Sequence, residues 1–195
     1  MTKIKRGRAS APVSATITRM NPWYVLTGAP SSGKSTLLSE LAARGHRTVP
    51  EAARFVIERE IAAGRSIEDI RGNAADFQHT VLDLKLEWER SLPHDEIIFF
   101  DRGIPDTKAY YLHEGIPNDE ALRKALVQRN YRKIFILSLI SEENFVRDGA
   151  RSENWQGAVA LDRLLEDVYR DEGYEVIRAD PMPLQERVDF ILERL

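Results

Sequence analysis

The residues Gly28, Ala29, Pro30, Ser31, Ser32, Gly33, Lys34, Ser35 and Thr36 carry the most specific chemistry in the chain. Gly28, Gly33, Lys34 and Ser35 fill the pattern G-x-x-x-x-G-K-[ST]. Glycine permits backbone turns closed to other residues, so successive N–H groups can converge on an anion. Lys34 brings a point charge towards the β- and γ-phosphates of a nucleotide, and the Ser35 hydroxyl is a Mg²⁺ ligand in such loops. A helix beginning at Lys34 adds the positive end of its dipole. The expectation is a nucleotide-binding loop over residues 28–36, with ATP and Mg²⁺ as cofactors.

Such a loop needs a second acid for the metal. In "EIIFFDRG" an apolar strand ends at Asp101, and strand C-terminal ends are where ligands gather in open α/β sheets. Asp101 is therefore expected to hold Mg²⁺ directly or through water, the alternative being a turn acid. Glu51 follows a short strand in "RTVPEAAR". It can take the proton from an acceptor hydroxyl or support Mg²⁺, or simply favour the start of a helix. Arg54, one turn on, either reaches substrate or pairs with Glu51.

Arg102 and Asp106 stand in "DRGIPDT" beside Asp101. They are candidate substrate contacts, with a surface salt bridge as the alternative for Arg102. Arg147 and Arg151 flank "DGA" in a polar stretch. Phosphoryl transfer spreads negative charge over oxygens, and guanidinium groups on a closing lid can stabilise it. The lid is placed near residues 141–157, with Gly149 and Gly157 as hinges. Phe77 and Gln78 can stack and hydrogen-bond an acceptor base, or else be a core aromatic beside an exposed amide. The four histidines show no metal spacing.

The elements that must position these groups alternate between strand and helix, which predicts a parallel sheet covered on both faces. Strands are expected at Trp23–Thr27, Arg47–Pro50, Glu96–Phe100, Lys133–Ile140 and Tyr174–Ala179. Helices are expected at Lys34–Arg44, from Glu51 to Gly64, at Ala74–Ser91, from an Asn118 cap through Gln128, up to Tyr169, and over Leu184–Leu195. Residues 21–195 read as one α/β domain.

Composition excludes several classes. The chain has 195 residues, a net charge of −3 and no cysteine, so disulfides and thiolate metal sites are absent. A reducing compartment fits, and a cytoplasmic location is expected. No apolar run is long enough to cross a membrane. Residues 1–20 carry Lys3, Lys5, Arg6, Arg8 and Arg19 and no acid. They read as a basic, disordered leader, with Met20 as an alternative start. The remainder is acidic, which argues against nucleic acid as a partner. A homodimer remains open.

Chain length leaves little room for the extra domain of a motor ATPase, and no N-K-x-D guanine-reading motif is present. A small phosphotransferase remains, with an acceptor pocket and an Arg-bearing lid as its extra parts.

"GAPSSGKST", "VPEAARFVI", "FFDRGIPDTKAYY" and "GYEVIRADPMPLQERVDFIL" together resemble the small bacterial P-loop proteins identified as an AAA-type ATPase domain. "VRDGARS" is similar to the ribosylnicotinamide kinase domain of the bifunctional NAD-biosynthesis regulator. A fainter similarity runs to deoxynucleoside and thymidylate kinases, whose strand-two Glu, aromatic-Gln pair and Asp/Glu-Arg motif fall on Glu51, on Phe77 and Gln78, and on Asp101 and Arg102. The resemblance implies a three-layer P-loop fold with a five-stranded sheet in the order 2-3-1-4-5. It also implies an ATP- and Mg²⁺-dependent kinase with a small nucleoside- or nucleotide-like acceptor. The alternative is a nucleotide-binding regulator or NTPase acting through a protein partner.

Overall fold

The computed structural model describes residues 20–140, 142 and 154–195. β1 (Trp23–Thr27) is buried along its whole length, as expected for a strand covered on both faces. It lies at the sheet centre, between β3 (Ile98–Asp101) and β4 (Lys133–Leu137), with β2 (Arg47–Val49) and β5 (Val176–Ala179) at the edges. The five strands run parallel in the order β2-β3-β1-β4-β5, as the resemblance implied.

Alternation along the strands divides the core in two. Tyr24, Leu26, Phe99 and Phe135 pack against Leu37 and Leu41 of α1 (Lys34–Ala43) and Val188 and Ile191 of α8 (Leu184–Leu192). Trp23, Val25, Phe100 and Ile134 point the other way. They meet Trp88 of α4 (Ala74–Ser91) and Tyr169 of α7 (Trp155–Asp171). α2 (Ala52–Ala62) and α3 (Ile67–Arg71) lean on α4 through Val56, Ile57, Ile70 and Phe77. α5 (Ile104–His113) and α6 (Glu120–Leu126) complete that side.

α3 and α5 were not expected from the sequence. Both begin where Gly, Pro, Ser or Asp reads as a turn. In α5 Pro105 occupies the first turn, where its missing N–H costs nothing. Asp119, not Asn118, caps α6, accepting from Leu122 N at 2.8 Å. β4 ends at Leu137 rather than Ile140, where its partner β5 also ends at Ala179, the bond from Ser138 N to Ala179 O being the last rung of the ladder. Gly157 lies in the first turn of α7, with its N–H donated to the Asn154 cap at 2.8 Å. The expected second hinge is therefore helical. Arg147, Gly149 and Arg151 lie outside the described residues.

Register brings three strand ends to one edge. Leu26 of β1 is level with Asp101 of β3, and Val49 of β2 with Phe100. The loops after β1, β2 and β3 consequently open side by side.

The start of α5 is a crowded junction. Gly103 N donates to Asp106 Oδ2 at 2.9 Å and to Tyr169 Oη at 3.2 Å, while Ile104 N donates to Tyr131 Oη at 2.9 Å. Lys85 of α4, buried, donates to Gly103 O at 2.7 Å and to Thr107 Oγ1 at 3.1 Å. Burial lowers its pKa from the ordinary 10.5 to about 8, with nearby Asp106 resisting and Arg102 assisting.

Two outcomes follow from this junction. A Cβ on Gly103 would stand 2.7 Å from the Tyr131 ring and 2.8 Å from Tyr169 Oη. Gly103→Ala should therefore lower unfolding free energy by about 1–3 kcal/mol in a urea titration. Lys85 binds its proton more weakly in the folded chain than in the unfolded one. Its contribution to stability should rise with pH through the interval from about 8 to 10.5. Unfolding curves of the wild type and Lys85→Met, compared across that interval, should converge in slope only if Lys85 is not the titrating group.

Candidate active site

β1 runs straight into the phosphate loop, and the loop's shape demands its glycines. Gly28 has φ of 137°, and a Cβ there would stand 2.5 Å from Leu137 O. Ser31 and Gly33 also take positive φ, at 63° and 86°, which turns consecutive N–H groups inward. Gly33 then caps α1 without a side-chain bond, leaving that helix end to an anion.

Lys34 is buried, and its Nζ donates to Gly28 O and Ala29 O at 2.9 Å each and to Ser32 Oγ at 3.1 Å. The ammonium is thus parked on the loop it would share with a phosphate. Ser35 and Thr36 are exposed in the first turn of α1. Ala29 and Ser32 are buried, and Pro30 forms the loop's wall towards the cavity described below.

A second cation supports the loop from behind. Arg187 of α8 is buried and donates from Nη1 to Ser32 O at 2.8 Å and from Nη2 to Ala179 O at 2.6 Å. Its Nε has no partner. Burial lowers its pKa, partly offset by Asp180. Nothing in the sequence pattern singled it out.

Asp101 ends β3 at 5% exposure, with Oδ1 buried and without a hydrogen-bond partner. Burial raises its pKa to about 6, helped by the Glu51 charge and opposed by Lys34 and Arg102. An orphaned buried carboxylate oxygen level with the phosphate loop fits a hard cation or a water bound to one. Among the described residues no group of three or more His, Cys, Asp or Glu could hold a metal by itself. A Mg²⁺ ion there would need oxygen atoms from a nucleotide, with Ser35 and Asp101 as the protein's share.

Arg102, expected as a substrate contact with a surface salt bridge as the alternative, lines the cavity described below but is an ion pair inside the fold. It is buried, its φ is 69°, and its guanidinium bridges Glu51 Oε1 at 3.0 Å and Asp106 Oδ1 at 3.1 Å. Burial opposes its charge, yet Tyr110, Glu51, Asp106 and Asp101 outweigh that and raise its pKa well above the ordinary range. Asp106 is wholly buried, accepting also from Thr27 Oγ1 and Tyr169 Oη at 2.5 Å each. Its carboxylate is used inside the fold, and it does not line the cavity.

Glu51 caps α2 with its backbone only, so its carboxylate is turned to Arg102 rather than to the helix. Glu51, Arg54, Phe77, Gln78 and Arg102 all line one cavity of about 620 Å³, within the usual range for small-molecule sites. Phe77 is buried, and Gln78 Nε2 donates to Glu114 Oε1 at 3.3 Å. Lys85 and Arg71 also line the cavity and were missed in the sequence. Lys85 had a signal: it stands on the buried stripe of α4 with Gln78, Val81 and Leu82, where a charged residue is conspicuous.

Comparison with known proteins bears on the fold and the family. No curated protein matches the chain in sequence. The deoxyadenosine kinase from M. mycoides with bound dCTP superposes with a TM-score of 0.62 at 14% identity, covering 88% of this chain and 97% of that one. Thymidylate kinase from Candida albicans gives 0.60 at 16%, over 90% and 91% of the two chains. The NadR protein in complex with NR gives 0.63 at 19%, over 88% of this chain and 50% of that one. At these identities the likeness shows the fold, that of the P-loop kinases. A family model described as AAA domain matches residues 23–187, and the chain belongs to that family.

Proposed function

We propose that the chain is a Mg²⁺- and ATP-dependent small-molecule kinase whose acceptor is nucleoside- or nucleotide-like. One observation carries this reading. A cavity of acceptor size is lined by Pro30 of the phosphate loop, by Glu51 and Arg102, and by residues of α2, α3, α4 and α5. An NTPase that only hydrolyses or signals has no need of such a space beside its phosphates.

In this reading the loop amides and Lys34 hold the β- and γ-phosphates, Lys34 exchanging its carbonyl partners for phosphate oxygens. Ser35 and Asp101 would hold a Mg²⁺ ion, which would supply neutralising charge for the phosphates. Glu51 takes the proton of the acceptor hydroxyl as its oxygen forms a bond to the γ-phosphorus. The bond from that phosphorus to the bridging oxygen breaks, and ADP leaves. Arg102 holds Glu51 in line, and Arg147 and Arg151 supply charge from the polar segment. Arg54, Phe77 and Gln78 orient the acceptor, while Asp106 acts through Arg102.

The test is ADP release with Mg²⁺-ATP across nucleosides, nucleotides and nicotinamide riboside, against a blank. At least one acceptor should stimulate release, and Lys34→Ala and Asp101→Asn should each lower it about 100-fold or more. Glu51→Gln should lower kcat about 100-fold with ATP binding retained. A flat panel with tight ATP binding would instead mark a nucleotide-binding regulator that works through a protein partner, and a fully active Glu51→Gln would remove the base role.

A further inference from the structure

The far end of the cavity is built differently from its mouth. Arg71, the last residue of α3, lines it, and its guanidinium carbon lies 5.6 Å from the centroid of the Phe77 ring. Its Nε is sealed from solvent without a hydrogen-bond partner, and among the described residues Arg71 makes no ion pair. The side chain is therefore held by the ring, with its hydrogen-bonding capacity unused at a cavity wall.

Arg71 is half-buried, and the fully buried cations of the cavity are already engaged. Arg102 bonds Glu51 and Asp106, and Lys85 bonds Gly103 O and Thr107. Of the remaining lining carboxylates, Glu58 is exposed on α2 and Glu114 accepts from Gln78. A guanidinium without an acceptor is costly, and a planar fork of N–H donors matches a carboxylate or phosphate best.

Its position fixes which end of a ligand it would meet. Phe77 precedes Lys85 by two turns of α4, about 12 Å of helical rise, and Lys85 is bonded beside Arg102 at Gly103. We propose that Arg71 is the anion-recognition residue of this site. It binds a carboxylate or phosphate carried by the acceptor at the end remote from the hydroxyl that reacts near Glu51. The assignment of the reacting end rests on the kinase reading above; the anion preference does not.

Equilibrium titration calorimetry on the full chain without ATP tests it, using probes that differ only in charge at that end. Orotidine against uridine, and nicotinic acid riboside against nicotinamide riboside, test the carboxylate; phenyl phosphate against phenol tests the phosphate. In at least one arm the member that carries the anionic group should bind at least about tenfold more tightly than its twin without it. Arg71→Gln should abolish that difference while keeping the far-ultraviolet circular dichroism of the wild type. Should that variant not fold, Arg71→Lys, which keeps stem and charge but loses the fork, should shrink the preference. Equal binding of both twins in every arm, or a preference that survives these substitutions, overturns the proposal. An Arg71-dependent preference in a chain that never releases ADP would leave the proposal standing and sink the kinase reading. Lys34-dependent turnover of neutral acceptors, indifferent to Arg71→Gln, would do the reverse.

Discussion

A single buried guanidinium ties the site together. Arg102 reaches from the end of β3 to Glu51 at the head of α2 and to Asp106 in α5. Through Asp106 it is joined to Thr27 of β1 and Tyr169 of α7. Five elements are thus held by one charge cluster. Each carboxylate alone would be expensive so far from water; together with Arg102 they are compensated. The left-handed backbone of Arg102 costs about 1–3 kcal/mol, and its charge-assisted hydrogen bonds, at about 1.5–3 kcal/mol each, are of the size needed to hold it.

The same cluster separates two carboxylates by role. Asp106 is saturated with donors and serves as an anchor. Asp101, one residue before Arg102, keeps an oxygen without a donor and carries a raised pKa, from burial first and the Glu51 charge second. Neighbouring acids in one short motif thereby acquire different surroundings, one fixed by hydrogen bonds and one with an oxygen that accepts none among the described residues. Glu51 sits between them, oriented by Arg102 and facing the cavity.

Much of this was legible in the sequence because it is local. The phosphate loop is a contiguous pattern, and the buried strands are apolar runs, so both survive without knowledge of tertiary contacts. Asp101 was found because a strand end is a place that topology defines. What escaped was decided by long-range packing. Arg102 reads as a substrate contact or a surface pair until Glu51, 51 residues away in sequence, is folded against it. Lys85 could have been noticed on the apolar stripe of α4, but its partners Gly103 and Thr107 lie on another element. Arg71 sits in a helix too short for periodicity to find, and its partner is a ring rather than a charge. α5 was hidden by Gly103 and Pro105, which look like a turn and instead start a helix.

Arg187 has a wider meaning. It plugs the last helix into the back of the phosphate loop, bonding Ser32 O and Ala179 O with no carboxylate in either bond. The loop's electrostatic character is therefore shared between the beginning and the end of the described fold. β1 supplies the peptide groups, and α8 supplies a partly desolvated positive charge behind them. On the proposed reading, nucleotide affinity and C-terminal docking are one linked equilibrium: loosening α8 would weaken the loop's hold on phosphate, and phosphate bound in the loop would in turn tighten α8 against the sheet.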